Sequence, residues 1–123
     1  MRWWRHGNNS SDSVDKFIAY WIVLETTAVE LGKSDSIGGK LSEILATIFP
    51  TLASDVNGKR IKRLQGLLYK SRCKAVHAGR RDLDHMQSLA ELSRFVASAC
   101  IRHLSDRATS SEPKQDLLDL FKI

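Results

Sequence analysis

The residues of this sequence best suited to chemistry are an arginine and a histidine, Arg72 and His77, in the stretch YKSRCKAVHAG. A histidine near its ordinary pKa can accept or donate a proton at neutral pH. A guanidinium can hold a phosphate by two parallel hydrogen bonds and can neutralise charge that develops in a transition state. Because RNA carries its own nucleophile, the 2′-hydroxyl, these two side chains at one phosphate suffice in principle to cleave RNA without a metal ion.

The same spacing also fits an ordinary helix end. His77 stands two residues before Gly79, a glycine position typical of a helix C-terminus, where the helix dipole favours a histidine without any further role. On an ideal helix, Arg72 and His77 are about 140° apart around the axis and roughly 7.5 Å apart along it. They share no face, but a long arginine side chain and a cleft between two subunits would let both reach one phosphate.

Much of the positive charge of the chain lies in the same region. The formal net charge is +5, and basic residues are concentrated in two segments, 59–63 and 70–81. Basic clusters of this kind indicate a polyanionic partner, most often nucleic acid. Four residues are therefore candidates for holding flanking phosphates, with a simply solvated helix face as the alternative for each: Lys70, Lys74, Arg80 and Arg81.

Composition indicates a small soluble protein of one domain. The chain has 123 residues, of which 42% are hydrophobic and 27% charged, values typical of globular proteins. No apolar run is long enough to span a bilayer, and the N-terminus lacks the apolar core of a signal peptide, so we expect a cytoplasmic protein without membrane association. The histidines and cysteines show no metal-ligand spacing, so we expect neither a metal nor another cofactor.

The apolar pattern predicts an all-α fold, a compact bundle of four to five helices. Apolar residues recur at helical spacing, and no alternating strand pattern is present. The predicted long helices are 13–31, about 41–49, 59–77 and about 82–105. Asp12 or Ser13 caps the first helix and Gly32 ends it, and the segment Lys33–Lys40 is predicted to be a loop. The apolar arcs of the first and last long helices are wide, which indicates a dimer face.

The chain divides into three parts. Residues 1–12 are predicted to be a flexible basic and aromatic segment, 13–106 the helical domain, and 107–123 a polar linker followed by a short amphipathic helix. We expect this last helix to fold back on the core, with a docking peptide as the alternative. Trp3 and Trp4 are expected to form a hydrophobic patch or a junction with a larger protein, or to stack on RNA.

Glu25 interrupts the apolar stripe of the first long helix, where it lies between Trp21 and Ile18. A carboxylate among apolar side chains needs a partner. Arg72 is the candidate, either as a structural ion pair or because the carboxylate orients the guanidinium. Tyr69, one turn before Arg72, is predicted either to line the cleft and stack on a base or to pack in the core.

Two motifs together resemble those of HEPN domains, in particular the Apea-like subgroup. The stretch FIAYWIVLE, residues 17–25, is similar to an early helix of that subgroup with the pattern F-x-x-Y/F-W-x-x-L-E. The stretch LYKSRCKAVHAG, residues 68–79, is similar to its later pattern L-Y-x-x-R-x-x-x-V-H-x-G. The motifs occur in the family's order, and the resemblance covers approximately residues 13–106.

The resemblance implies an all-α homodimer in which Arg72 and His77 of two subunits line one cleft as the catalytic pair. Beside this pair we name Glu25, Tyr69 and Cys73 as candidate supporting residues. Many HEPN proteins are metal-independent endoribonucleases of toxin–antitoxin or other prokaryotic defence systems. The implied partners are therefore RNA, a second copy of the chain, and an antitoxin or larger defence protein.

Two other functions remain open beside the ribonuclease. Some HEPN domains have lost catalysis and bind RNA or a partner protein. Cys73 stands where the family commonly has a polar residue, and cysteine is a poor hydrogen-bond partner. The alternatives are therefore a catalytically silent HEPN module and a plain helical dimerisation domain.

Overall fold

The computed structural model describes residues 2–77, 85–105 and 112–123, without the side chains of Val76 and His77. Every regular element in this part of the chain is helical, which confirms the predicted all-α class. The helices are α1 (Arg2–Asn9), α2 (Ser13–Leu31), α3 (Ile37–Ile48), α4 (Lys59–His77), α5 (Met86–Leu104) and α6 (Gln115–Asp119). Two short 3-10 turns, Leu52–Ser54 and Val56–Gly58, join α3 to α4.

The second helix, α2, is the centre of the bundle and packs against α1, α3, α4 and α5. It begins and ends where the sequence predicts. The Asp12 carboxylate accepts a hydrogen bond from the Val14 amide at 2.8 Å and so caps the N-terminus. The Gly32 amide donates to the Ala28 carbonyl at 2.7 Å and closes the last turn.

Helices α2 and α5 run side by side in the same direction. Tyr20 of α2 lies beside Arg94 of α5, and further along both helices Thr27 lies beside Cys100. Apolar residues of α2 to α5, with two from the C-terminal segment, form one buried core. Its largest fully buried members include Phe17, Leu24, Leu41, Phe49, Leu64, Leu68, Leu92 and Leu118.

Helix α3 begins earlier than predicted, at Ile37 instead of Leu41, so that Gly38, Gly39 and Lys40 are helical and not part of a loop. The cause is Ser36, whose hydroxyl accepts a hydrogen bond from the Gly39 amide at 3.0 Å. This N-cap is strong enough to start the helix through two glycines.

Helix α5 begins later than predicted, at Met86 instead of near Asp82. His85 has φ 52°, and a residue with left-handed backbone does not continue a right-handed α-helix. Asp82 itself lies outside the described residues. The helix ends at Leu104, one residue before the predicted end.

Residues Arg2–Asn9 form a helix where the sequence analysis expected a flexible segment. Helix α1 packs on α2 at the buried ring of Tyr20. The Tyr20 hydroxyl donates to Asn8 Oδ1 at 2.6 Å, and the Trp4 ring lies 5.5 Å from the Tyr20 ring. A helix this short is marginal alone, so these tertiary contacts stabilise it.

The C-terminal segment, residues 112–123, folds back on the bundle as predicted. Leu118 and Ile123 are buried in the main core. The Arg60 guanidinium of α4 donates to the side-chain carbonyl of Gln115 at 2.6 Å. In the described ranges, with their gaps at 78–84 and 106–111, no helix has the length and apolar character needed to cross a membrane.

The close approach of α1 to α2 depends on Gly7. A Cβ atom there would lie 2.5 Å from Cε1 of Tyr20. We therefore expect Gly7→Ala to lower the free energy of unfolding by about 1–3 kcal/mol, as overpacking does. The measurement is urea unfolding followed by circular dichroism.

Gly66 provides the matched control, since a Cβ there would meet no atom of the described residues within 4 Å. Because alanine favours an α-helix more than glycine, Gly66→Ala should raise stability by about 0.5–1 kcal/mol. A Gly7→Ala protein as stable as the wild type would contradict the described packing of α1.

Candidate functional site

The C-terminal half of α4 carries most of the residues that the sequence singles out. Tyr69, Lys70 and Lys74 are exposed, whereas Arg72 and Cys73 are half-buried. His77 is the last residue of α4. Arg80 and Arg81, the remaining predicted RNA-binding residues, lie outside the described part of the chain.

The position of Arg72 follows from the buried side of α4. Leu64, Leu68 and Ala75 face the core, and Arg72 stands one turn after Leu68 at the edge of that side. Its half-buried side chain agrees with this register. Five positions further on, the backbone of His77 is about 140° around the helix, so α4 alone does not present both residues on one face.

The aromatic ring of Tyr69 meets α2 through Trp21. The two rings are in edge-to-face contact, with centroids 6.2 Å apart and planes at 70°. Trp21 is 3% exposed and Tyr69 is 37% exposed. Tyr69 therefore packs against the core through Trp21 while part of its side chain stays exposed to solvent; stacking on a base remains a prediction.

Trp21 also holds the carboxylate that interrupts the apolar stripe of α2. Its indole Nε1 donates to Glu25 Oε2 at 3.1 Å, across one turn of the helix. Glu25 is half-buried, whereas its place in the apolar stripe predicted a buried carboxylate. The partner that the structure gives it is this indole, where the sequence analysis expected the guanidinium of Arg72.

The two sequence motifs therefore meet in space. Trp21 and Glu25 come from the first motif and Tyr69 from the second, and Trp21 joins them by a hydrogen bond on one side and a ring contact on the other. Sequence reasoning treated Trp21 as core and missed this linking role. The available signal was its spacing of four residues from Glu25, which places a donor and an acceptor on neighbouring turns.

The basic residues of α4 do not all face the same region. Lys74 lines a cavity of about 360 Å³ between α4, the start of α5 and the C-terminal segment. Ser71, His85 and Lys122 line the same cavity. Lys70, the residue after Tyr69, is exposed and does not line this cavity. The predicted phosphate-binding lysines therefore belong to two parts of the surface.

The two thiols lie in different surroundings. Cys100 is fully buried in α5, where desolvation raises its pKa to about 12, with Thr27 acting weakly in the opposite direction. This thiol stays protonated at neutral pH and serves the packing of α5 on α2. Cys73 is half-buried beside Arg72, so it is the thiol that belongs to the candidate site.

Within the residues that the structure describes, no three histidine, cysteine or carboxylate side chains are grouped so as to hold a metal ion. The candidate site brings a guanidinium, lysine ammonium groups, a tyrosine and a carboxylate, with His77 at the end of the same helix. Comparison of the chain with protein-family models, curated proteins and solved structures found no match.

The hydrogen bond between Trp21 and Glu25 gives a stability prediction. Because Trp21 is buried, Glu25→Ala would leave its indole N–H without an acceptor, at a cost of about 1–3 kcal/mol in the free energy of unfolding. Glu25→Gln retains an acceptor oxygen and should recover most of that loss. Thermal and urea unfolding of the purified variants measure both effects.

Glu30, an exposed carboxylate on the same helix, is the control. Glu30→Ala should change the free energy of unfolding by less than about 0.5 kcal/mol, as surface substitutions usually do. Equal losses for Glu25→Ala and Glu30→Ala would show that the indole bond contributes nothing to stability.

Proposed function

We propose that this protein is a HEPN-type, metal-independent endoribonuclease that acts in the cytoplasm as part of a prokaryotic defence or toxin–antitoxin system. The observation that supports this most directly is the contact between Trp21 and Tyr69, at 6.2 Å between ring centroids. It brings together the two motifs on which the resemblance rests, although 42 residues separate them in the chain. Arg72 lies one turn beyond this contact on α4 and remains partly open to solvent.

In the proposed reaction the 2′-oxygen of RNA attacks the adjacent phosphorus and the bond from phosphorus to the 5′-oxygen breaks. Either His77 takes the proton of the 2′-hydroxyl while a water protonates the leaving 5′-oxygen, or a water accepts the first proton while His77 delivers the second. Arg72 stabilises the negative charge that builds on the phosphorane oxygens. The products are a 2′,3′-cyclic phosphate and a 5′-hydroxyl. Lys70, an exposed residue of the same helix, holds a flanking phosphate.

The proposal includes a homodimer, because Arg72 and His77 are about 140° apart on one helix. A second copy of α4 can supply the residue that the first copy does not present. The surface proposed for this contact is the partly exposed side of α2 that carries Ile18, Ile22 and Val29, the first two of which also pack against the core. There Ile18 and Ile22 are half-buried and Val29 is 55% exposed, at helical spacing with Glu25.

A catalytically silent HEPN module that binds RNA or a partner protein, an antitoxin for example, is the second candidate. The observation in its favour is Cys73, a half-buried thiol directly after Arg72 where the family commonly has a polar residue. A thiol is a weak hydrogen-bond donor and acceptor, so it gives little help in orienting Arg72 or the scissile phosphate. RNA binding without cleavage is the outcome that distinguishes this candidate from the ribonuclease.

The first test is RNA cleavage in EDTA by variants of the catalytic pair. His77→Ala should lower the cleavage rate by about 10²–10⁴, the usual contribution of general acid–base catalysis. Arg72→Ala should also stop cleavage, through loss of charge stabilisation. Wild-type products should carry 2′,3′-cyclic phosphate ends, detected by mass spectrometry.

His103 is a matched control for His77, because it is an exposed histidine in the last turn of α5. His103→Ala should cleave at the wild-type rate. Circular dichroism should show that the variants remain folded. A folded His77→Ala protein that cleaves as fast as the wild type would remove His77 from the mechanism.

The dimer is tested by sedimentation at micromolar concentration. We expect the wild type to sediment as a dimer and Val29→Glu as a monomer with little cleavage activity, since a charge on the proposed contact opposes association. Val56 is also exposed, at 78%, but lies in the turn before α4. Val56→Glu should therefore remain dimeric and active. A wild-type protein found only as a 13.9 kDa species would overturn the dimer.

A further inference from the structure

Helix α1 gives its two neighbouring tryptophans opposite environments. Trp4 is half-buried, and its ring centre lies 5.5 Å from that of Tyr20. The guanidinium carbon of Arg94 lies 5.4 Å from the centre of the Trp4 ring. Trp3 is 38% exposed and packs on neither of these residues. Trp4 therefore packs α1 against the bundle, and Trp3 provides an exposed aromatic ring.

The exposed tryptophan is surrounded by basic groups. The guanidinium carbon of Arg2 lies 5.3 Å from the Trp3 ring centre. The His6 ring meets Trp3 edge to face at 5.8 Å. Arg2, Arg5 and His6 are all exposed, and α1 contains no acidic residue. On an ideal helix, these residues and Trp3 occupy one continuous outward arc.

This outward face is held in a fixed position by the inward face. Asn8 Oδ1 accepts hydrogen bonds from the Tyr20 hydroxyl at 2.6 Å and from Arg94 Nε at 3.2 Å. Gly7 is buried against the Tyr20 ring. Because α2 and α5 both hold α1, its exposed aromatic and basic groups are preorganised, which lowers the entropy lost on binding a ligand.

We propose that the exposed face of α1 binds single-stranded RNA, with one base stacked on Trp3 and backbone phosphates held by Arg2 and Arg5. Aromatic side chains among basic groups bind single strands in this way, because every base offers a π-face and every nucleotide a phosphate. The choice of RNA as the ligand rests on the proposed function. It adds to that function a substrate-binding surface distinct from Arg72 and His77.

The contacts of α1 favour RNA over an anionic membrane surface. A helix that lies in a membrane interface buries a wide apolar face in the lipid. The residues of α1 that would form such a face, Trp4 and Gly7, are already packed on α2. What remains outside is one aromatic ring among cations.

The test measures binding of a fluorescent 2′-O-methyl oligouridylate, which cannot be cleaved because it lacks the attacking hydroxyl. Loss of one stacked base corresponds to a Kd weakened about 5- to 150-fold, and this is the expected effect of Trp3→Ala. Trp3→Phe preserves a stacking ring and should retain most of the affinity. Circular dichroism of both variants should match the wild type, because Trp3 is partly exposed.

A charge-matched pair separates a local site from general attraction between a basic protein and RNA. Arg5 and Lys33 are both exposed cations, on α1 and in the loop after α2. Arg5→Gln should weaken binding and reduce its dependence on salt concentration, whereas Lys33→Gln should have a much smaller effect. Equal effects of the two substitutions would overturn the α1 surface.

The remaining outcomes distinguish this proposal from the proposed function. If the wild type binds the oligonucleotide and Trp3→Ala binds it equally well, the α1 surface is wrong and the ribonuclease proposal stands. If the wild type neither binds nor cleaves RNA, both fail. If Trp3→Ala loses binding to vesicles containing one quarter anionic lipid but keeps its affinity for RNA, the face of α1 is a membrane contact and the RNA proposal is overturned.

Discussion

Two adjacent aromatic residues of α2, Tyr20 and Trp21, set the positions of the helices on either side of it. Neighbouring residues on a helix point about 100° apart, so these side chains reach different partners from one level of the bundle. Burial raises the pKa of Tyr20, although the Arg94 guanidinium acts in the opposite direction. The phenol therefore stays protonated at neutral pH and donates to Asn8, while Trp21 donates to Glu25 and contacts Tyr69.

Local signals in the sequence were sufficient to predict α2 and α4. Asp12 caps α2, Gly32 follows it, and the apolar spacing between them is regular. Where a boundary depended on a single side chain in a polar stretch, prediction failed, as with Ser36 at the start of α3. Helix α1 was missed for a different reason. Its eight residues have little intrinsic stability, and its partner residue Arg94 lies 86 positions away in the chain.

The pairings of side chains within the candidate site were not predicted from the sequence. Periodicity identifies which side of a helix is buried, and it correctly marked Glu25 as a carboxylate within an apolar stripe. It does not give the rotation and crossing of one helix against another, so it could not show that Trp21 would reach both Glu25 and Tyr69. For the same reason, periodicity could not show that Lys74 lines a cavity on another side of α4.

The dependence of α1 on Arg94 has a consequence for biosynthesis. Helix α1 leaves the ribosome before α5, and the guanidinium that bonds to Asn8 is made 86 residues later. Domains form as units once their distant parts are available, so the nascent chain carries α1 without its full anchorage until α5 has emerged. The aromatic and basic surface of α1 therefore reaches its final, fully held position only after α5 has been made, although α1 precedes α5 in the chain.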